Sequence, residues 1–386
     1  MKFRAWAILG ATALSACGGA GADQTTAASS TTGSGSGASS SSSATTGSGG
    51  ATSTGSGTGT GGSATSQVTV LVTPDTTMAD QIVAAIEAAT TSVHMTQYIL
   101  DDSDIVAALI DRKNAGLDVR VVLNQTFPTG TVQTNPATFT KLQAAGVGVV
   151  WRNGPPGAKA GAYTHEKAMV LDGKRAWIMT MNFDHSAPLY NREYLVIDDD
   201  AADVAETDQI FLADYTGAAS TAGSPLVVSP DPPSNSRDAL VALIASATTT
   251  LDVEGEEFSD YVTGGVVDAI AAAAHRGVAT RVVVANETFG TAETNSVNTV
   301  KAAGAKVVVS GGTSGGAKAT NPYIHAKAIV IDCAGTVCAR GYLGSENFSV
   351  NSLSENRELG VIIDNPTELA KVEAAITTDF GKGTAQ

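Results

Sequence analysis

The chain has 386 residues, a formal net charge of −15, 41 Gly and 5% aromatics, which is enough for two ordinary domains or one large one. Setting aside Lys2, Arg4 and Asp23, residues 67–386 carry 21 Lys+Arg against 37 Asp+Glu, a net of −16 over 320 residues. That size excludes a small disulfide scaffold, the charge argues against a protein that grips nucleic acid by its phosphates, and the lack of an apolar run of about 20 residues argues against an integral membrane enzyme.

Lys2 and Arg4 precede a short apolar run, Ala5 to Leu14, which is followed by Leu14-Ser15-Ala16-Cys17. Small residues before a cysteine at the end of such a run resemble the lipobox of bacterial lipoproteins. The resemblance implies a signal peptide over 1–16 and a lipidated Cys17 as the first residue of the exported chain, anchored to the cell envelope. Gly18 is not the Asp that would favour the inner membrane, so the outer membrane and the cell surface stay open. Of the 49 residues 18–66, all but Asp23 and Gln24 are Gly, Ala, Ser or Thr. Such a segment cannot bury enough apolar surface to offset its ordering entropy, so 17–66 is expected to be a disordered tether. A Gly/Ser-rich coil of this length reaches about 35–42 Å r.m.s..

Residues 67–386 read as two copies of one pattern, 67–222 and 223–386. The first runs through an apolar start at Val68–Val72 and a helix over Met78–Ala89. A strand over Ser92–Ile99, a helix over Ile105–Ala115 stopped by Gly116, and a strand over Val119–Leu123 follow. The second runs through Leu226–Val228, a helix over Ala239–Ala247, a strand over Leu251–Glu254, a helix over Val266–His275 stopped by Gly277, and a strand over Arg281–Val284. Alternating strands and helices predict α/β layers in each half, a mixed sheet flanked by helices. A duplicated fold of this kind is expected to place one site where the halves meet.

The chain has five His, and two fall in one frame: Tyr163-Thr164-His165-Glu166-Lys167 and Tyr323-Ile324-His325-Ala326-Lys327. Both frames are rich in β-branched and apolar residues, so His and Lys at i and i+2 share a strand face. A tight turn at Gly173-Lys174 pairs Asp172 with Arg175, Lys167 with Thr180 and His165 with Asn182. The same register pairs His325 with Asn347, Lys327 with Ser345 and Asp332 with Arg340. The five extra residues of the second copy fall in the hairpin tip, where Cys333 and Cys338 would close the longer turn. With Cys17 lipidated, these two form an even pair in an oxidising compartment, and a disulfide is expected ahead of half a metal site.

A face with His, Lys, Asn and a hydroxyl suits a phosphodiester. Lys and Asn donate to non-bridging oxygens, and His attacks phosphorus or protonates the leaving oxygen. At this point the sequence resembles the phospholipase D superfamily, whose signature H-x-K-x4-D-x6-G-S-x-N occurs twice per chain. Here it reads His325, Lys327, Asp332 and Gly344-Ser345-Glu346-Asn347 in one copy. The other reads His165, Lys167, Asp172 and Met179-Thr180-Met181-Asn182, with Met179 for Gly and Thr180 for Ser. The family Glu follows in Asn191-Arg192-Glu193 and Asn356-Arg357-Glu358.

The resemblance implies a two-step reaction without cofactor or metal, with His165 as nucleophile, His325 as acid, and Glu193 and Glu358 orienting the histidines. Lys167, Lys327, Asn182 and Asn347 would hold the phosphoryl oxygens, assisted by Ser345 and Thr180. Asp172 and Asp332 read equally as signature residues of the site and as turn residues. Lys159 and Lys318 read as solvated loop lysines or guides for an anionic head group. His275 reads as a helix C-terminal residue and His94 as a packed one; His185 has no assigned role. Loops 127–135 and 289–295 are expected to shape the pocket. The expected activity is head-group hydrolysis of phospholipids by a monomer held at a membrane. The alternatives are a nuclease, a phosphatidyl transferase, or an anchored binding protein without catalysis.

Overall fold

In the computed structural model the described residues are 68–386, apart from 130, 132, 287–289, 315–320 and 336. Cys17, the signal peptide, the tether, Lys318 and Phe289 therefore lie outside the described residues. The first half contains β1 (Val68–Val72), α1 (Met78–Ala88), β2 (Ser92–Gln97), α2 (Ser103–Asn114), β3 (Asp118–Asn124), α3 (Asn135–Ala144) and β4 (Gly148–Arg152). It continues through β5 (Ala168–Leu171), β6 (Arg175–Met179), α4 (Ala187–Tyr190), β7 (Asn191–Arg192), β8 (Tyr194–Asp198) and α5 (Ala201–Thr216). The second half contains β9 (Leu226–Ser229), α6 (Ser236–Ser246), β10 (Thr250–Gly255), β11 (Phe258–Ser259), α7 (Val266–His275), β12 (Ala279–Val284), α8 (Thr291–Ala302) and β13 (Lys306–Val309). It ends with β14 (Tyr323–Ile324), β15 (Lys327–Ile331), β16 (Arg340–Gly344), β17 (Phe348–Ser349), α9 (Val350–Ser354), β18 (Glu358–Ile363), α10 (Pro366–Lys382) and β19 (Thr384–Ala385).

The duplication is visible in the sheets. One has the order β1-β8-β6-β5-β2-β3-β4, and the other β19-β13-β12-β10-β15-β16-β18-β9. Read from its far end, the second repeats the first and adds β19. In each, two parallel ladders (β2/β3 and β3/β4; β10/β12 and β12/β13) continue into antiparallel ones. Local sequence explains the elements. Met78, Ile82 and Ile86 of α1 are buried at helical spacing, which is one face of an amphipathic helix. Asp102 caps α2 by accepting from the amides of Asp104 and Ile105, satisfying donors the helix leaves orphaned.

Alternation in β15 directs Ile329 and Ile331 into a core belonging to the second half, and Ala328 and Val330 into another. That other core is shared. Val70, Ile178, Tyr194 and Val196 of the first half pack in it with Ile324, Val361 and Ile376 of the second. Ala168 of β5 packs in the same shared core, so the strand that starts at each His-x-Lys motif is held by apolar contacts from both halves. No helix among the described residues is long and apolar enough to cross a membrane.

The hairpin register differs from the expected one by a single residue in both copies. Leu171 pairs with Arg175, and Ile331 with Arg340. The loop in the first copy is three residues long, closed by the Lys174 amide on the Leu171 carbonyl. Asp172 and Asp332 have left therefore the ladder: both have positive φ, 56° and 55°. The reason is a second contact of the aspartates. The Asp172 carboxylate accepts from the amides of Thr90, Thr91 and Ser92, and Asp332 accepts from those of Thr248, Thr249 and Thr250. Each aspartate thus ties its hairpin to the loop entering β2 or β10. Cys333 and Cys338 form the expected disulfide in the longer tip.

Candidate active site

Both His-x-Lys segments come to the line where the halves meet. Tyr323–Ile324, just before His325, runs parallel to Asn191–Arg192, and Thr164, just before His165, bridges to Arg357. The Arg357 carbonyl accepts the amides of His165 and Glu166 at 2.8 and 3.0 Å. Each histidine is thereby threaded onto the Asn-Arg-Glu segment of the opposite half.

The carboxylates are exchanged. Glu358 of the second half meets His165 Nδ1 at 2.7 Å, and Glu193 of the first half meets His325 Nδ1 at 2.8 Å. Neither pairing is with the histidine of the same half. Both carboxylates are fully buried and held by further donors. Glu193 accepts from Thr180 Oγ1 at 2.5 Å and Asn191 Nδ2 at 3.0 Å; Glu358 accepts from Ser352 Oγ at 2.7 Å and Asn356 Nδ2 at 3.1 Å. With Nδ1 donating to a carboxylate, Nε2 is the ring nitrogen left for chemistry. The arginines beside these glutamates exchange in the same way: Arg192 pairs with Asp379 of α10, and Arg357 with Asp214 of α5.

Lys167 and Lys327 are fully buried, and each Nζ turns back to its histidine's carbonyl at 2.5 Å. Burial pushes the Lys167 ammonium down to about 7; Glu358, Glu256 and Glu193 oppose that shift and Lys327 adds to it. Burial likewise pushes the His165 imidazolium down to about 4, against the pull of Glu358 and with the push of Lys167 and Lys327. His165 is therefore neutral at neutral pH, with its Nε2 lone pair available. Burial works against the charge on Glu193 and Glu358, but the histidines and lysines beside them hold both below the usual carboxylate range.

Asn182 and Asn347 are both buried, and each Oδ1 has no hydrogen-bond partner among the described residues. The hydroxyls have other work. Thr180 Oγ1 donates to Glu193 and accepts the Tyr194 amide, while Ser345 Oγ accepts the Leu359 amide. Asp172 and Asp332 stand at the far ends of β5 and β15 from the lysines, so of the two readings the turn is the one observed.

Met179 has a packing explanation. Its counterpart Gly344 lies against Gly360, where a Cβ would come within 2.3 Å of the Gly360 Cα and 2.5 Å of the Tyr342 hydroxyl. In the first half, Met179, Leu195, Trp177 and Met181 fill that space as part of an apolar core. In the second, glycines make room for Tyr342, whose hydroxyl donates to Glu346 at 2.5 Å.

Other expectations are met or narrowed. His275 ends α7, and His94 is buried, stacked on Phe211 with Nδ1 2.6 Å from Asp208. The His185 side chain is exposed, 3.8 Å from Asp102. Lys159 is exposed and paired with Glu355. Phe127 packs on Tyr98 at 5.0 Å, so this end of loop 127–135 does reach the site.

Two residues absent from the sequence reading touch the motifs directly. The Tyr98 ring lies 4.5 Å from the His165 ring and 5.1 Å from Lys167 Nζ. Glu256 Oε2 lies 2.8 Å from Lys327 Nζ and 3.6 Å from His325 Nε2. Aligning the two halves from β2 and β10 onward would have marked both. One other group among the described residues has ligand atoms close enough for a metal: Asp252, Cys333 and Glu373. Arg281 already binds both carboxylates, and Cys333 is in the disulfide.

The chain is similar to several known proteins. The family described as cardiolipin synthase, PLD-like domain, matches residues 82–215 and 240–380. A phospholipase D of Rickettsia bellii (strain RML369-C) is 27% identical over 136 residues, 35% of this chain and 63% of that protein. The chain thus spans under two thirds of that relative's length. A phosphatidylserine synthase of Haemophilus influenzae Rd KW20 superposes with a TM-score of 0.58 at 13% identity, covering 83% of this chain and 87% of that one. A polyphosphate kinase of Porphyromonas gingivalis superposes with a TM-score of 0.59 at 14% identity, covering 80% and 46%. At these identities the two structures share the fold.

Proposed function

Since the chain belongs to the phospholipase D superfamily, we propose that it is a phosphodiesterase that hydrolyses the head-group ester of phospholipids through a phosphohistidine on His165. The observation that carries this reading is the exchange of carboxylates. It draws two histidines and two buried lysines of different halves into one cluster. In the first step the His165 Nε2 lone pair bonds to phosphorus, the bond to the head-group oxygen breaks, and that oxygen takes a proton from His325 Nε2. In the second, a water oxygen bonds to phosphorus and gives its proton to His325, while the N–P bond breaks and its electron pair returns to His165. Lys167, Lys327, Asn182 and Asn347 are assigned to the phosphoryl oxygens, whose charge such donors stabilise. Glu193 and Glu358 fix the tautomer and orientation of the histidines. Every step runs through side chains and needs no cofactor.

Lipid is preferred over nucleic acid as substrate because net −16 over residues 67–386 would slow approach of a polyanion. The name of the Rickettsia relative supports the same choice. Export and lipidation at Cys17 would keep the enzyme beside its substrate, and two motifs in one chain make a monomer sufficient.

The full-length protein should release head-group alcohol from phospholipid vesicles in the presence of EDTA, and His165→Ala or His325→Ala should each abolish release. Activity surviving both single changes would sink the two-histidine mechanism. Faster turnover of single-stranded DNA would favour the nuclease, and a folded protein inactive on every phosphodiester would favour the binding protein. Cys17→Ser should move the protein from the membrane to the soluble fraction; unchanged fractionation refutes the anchor.

A further inference from the structure

The two halves surround their histidines alike until the residue that follows β2 and β10. Val93 pairs with Leu171, and Leu251 with Ile331. Leu171 and Ile331 each precede the hairpin aspartate, so Val93 and Leu251 are equivalent, and five residues on so are Tyr98 and Glu256. Each touches the histidine and lysine of its own half, and they differ in chemistry. Tyr98 lays an aromatic ring against His165 and Lys167. Glu256 puts a carboxylate on Lys327 and beside His325 Nε2.

The Glu256 carboxylate is held in place. Tyr323 donates its hydroxyl to Oε1 at 2.8 Å, leaving Oε2 shared between Lys327 and His325. Burial raises the cost of its charge, but His325, Lys327 and the Tyr323 hydroxyl hold it well below the usual carboxylate range. His325 is thus faced by Glu193 at Nδ1, Glu256 at Nε2, and the Lys327 ammonium and Tyr323 ring on its own segment. His165 is faced by Glu358 at Nδ1, the two lysines and Tyr98, with no carboxylate recorded at its Nε2 among the described residues.

Resting on the phosphodiesterase reading above, we propose that Glu256 is a positioning residue that commits His325 to proton transfer and so leaves His165 as the nucleophile. It acts at the nitrogen that exchanges the proton. A carboxylate there lies beside the N–H that is given to the leaving oxygen and orients the ring toward it, and it stands at the same nitrogen when water gives up its proton. At His165 the equivalent position is the Tyr98 ring, which brings no charge to that imidazole. The asymmetry at one position gives a pseudo-symmetric site a direction.

The test uses two phosphatidyl esters that differ in their leaving group, in the same detergent micelles, with the full-length protein. Phosphatidylcholine releases an alkoxide that needs a proton; phosphatidyl-p-nitrophenol releases a stabilised anion that needs little help. With Glu256→Gln, kcat on phosphatidylcholine should fall about 30-fold, less than the 10²- to 10⁴-fold that a general acid itself contributes because Glu256 acts only through His325, and the nitrophenyl rate far less. The ratio of the two rates should shift by about tenfold or more. Glu256→Asp should recover part of the phosphatidylcholine rate. An equal fall on both esters would assign Glu256 to phosphate binding or folding, no fall on either would leave it without a role, and both results overturn the proposal. Should Glu256→Gln fail to fold, Tyr323→Phe releases Oε1 and should shift the ratio in the same direction; an unshifted ratio overturns it equally. A wild-type protein inactive on both esters would instead refute the underlying reading.

Discussion

The exchange of glutamates between halves makes a prediction that sequence order would invert. Glu193 lies 28 residues after His165 in the same half, yet its carboxylate binds His325, 2.8 Å from Nδ1. Glu193→Gln keeps the volume and removes the charge. A buried hydrogen bond to a charged group contributes about 1.5–3 kcal/mol, or about 10- to 150-fold in rate. A glutamine can also turn its amide nitrogen toward Nδ1 and force the wrong tautomer, the change that costs about 10⁴-fold in a serine-protease triad. Glu193→Gln should therefore lower turnover by about 10- to 10⁴-fold. The loss should follow the leaving group as that of the acid His325 does, large for phosphatidylcholine and small for the nitrophenyl ester. Glu358→Gln, which strips the nucleophile His165, should slow both esters alike and lower the yield of acid-labile phosphoenzyme in quenched samples. The opposite assignment, with Glu193→Gln slowing both esters and Glu358→Gln showing the leaving-group dependence, would refute the exchange as the working arrangement.

The buried arginines predict stability effects. Arg357 is 1% exposed and binds Asp214, so Arg357→Ala should cost about 3–5 kcal/mol in urea unfolding by taking the ion-pair partner from that buried carboxylate; a loss under about 1 kcal/mol would contradict this. For pH, kcat/KM should hold down to about pH 4, where burial has placed the His165 imidazolium, and decline above about 7 as Lys167 loses its proton. In kcat the alkaline limb should move up, because bound phosphodiester stabilises the ammonium; an acid limb at the ordinary histidine value of about 6.5 would count against a neutral His165. Asp172→Ala should leave activity per folded molecule intact while lowering stability by about 1–2 kcal/mol, through the lost amides of Thr90, Thr91 and Ser92. Those amides and the Thr90 hydroxyl hold the Asp172 carboxyl below its usual range although burial works the other way. Its contribution is therefore present above about pH 3.9 and fades as pH falls through the lower folded value, which thermal melts from pH 7 to 2 would follow.

Much of this was legible in the sequence because it is short-range. Two His-x-Lys frames, the Asn and Glu at fixed spacing, and the disulfide tip are local patterns, and strand and helix alternation follows from local periodicity. What was missed depends on contacts far along the chain. The hairpin register slips by one because Asp172 leaves the ladder for amides about eighty residues earlier, which no turn rule anticipates. The partner of each glutamate was left open, since Glu193 and Glu358 reach 132 and 193 residues to their histidines. Asp214 and Asp379, which hold the arginines at the interface, sit on α5 and α10, two helices that the repeat comparison did not cover. Met179 reads in sequence as a lapse from the motif, but it belongs to a set of four exchanged residues that refill one space.

The exchange also bears on why the two motifs occupy one chain. A two-fold dimer of a single half would bring the same histidines, lysines and glutamates together, since each histidine already depends on the other half's carboxylate. Such a dimer is bound to place one residue type at both copies of every position. The proposed reaction is not symmetric: one imidazole must be neutral and attack, while the other must carry the proton. Fusing the halves frees paired positions to differ. Tyr98 and Glu256 differ where they touch the histidines, and Met179 and Gly344 differ one layer beneath. Glu256→Tyr should therefore cost proton transfer rather than phosphate binding, and the fall in kcat on phosphatidylcholine should exceed any rise in KM. A variant whose KM rises while kcat holds would show that duplication was kept for some other reason than the division of labour between His165 and His325.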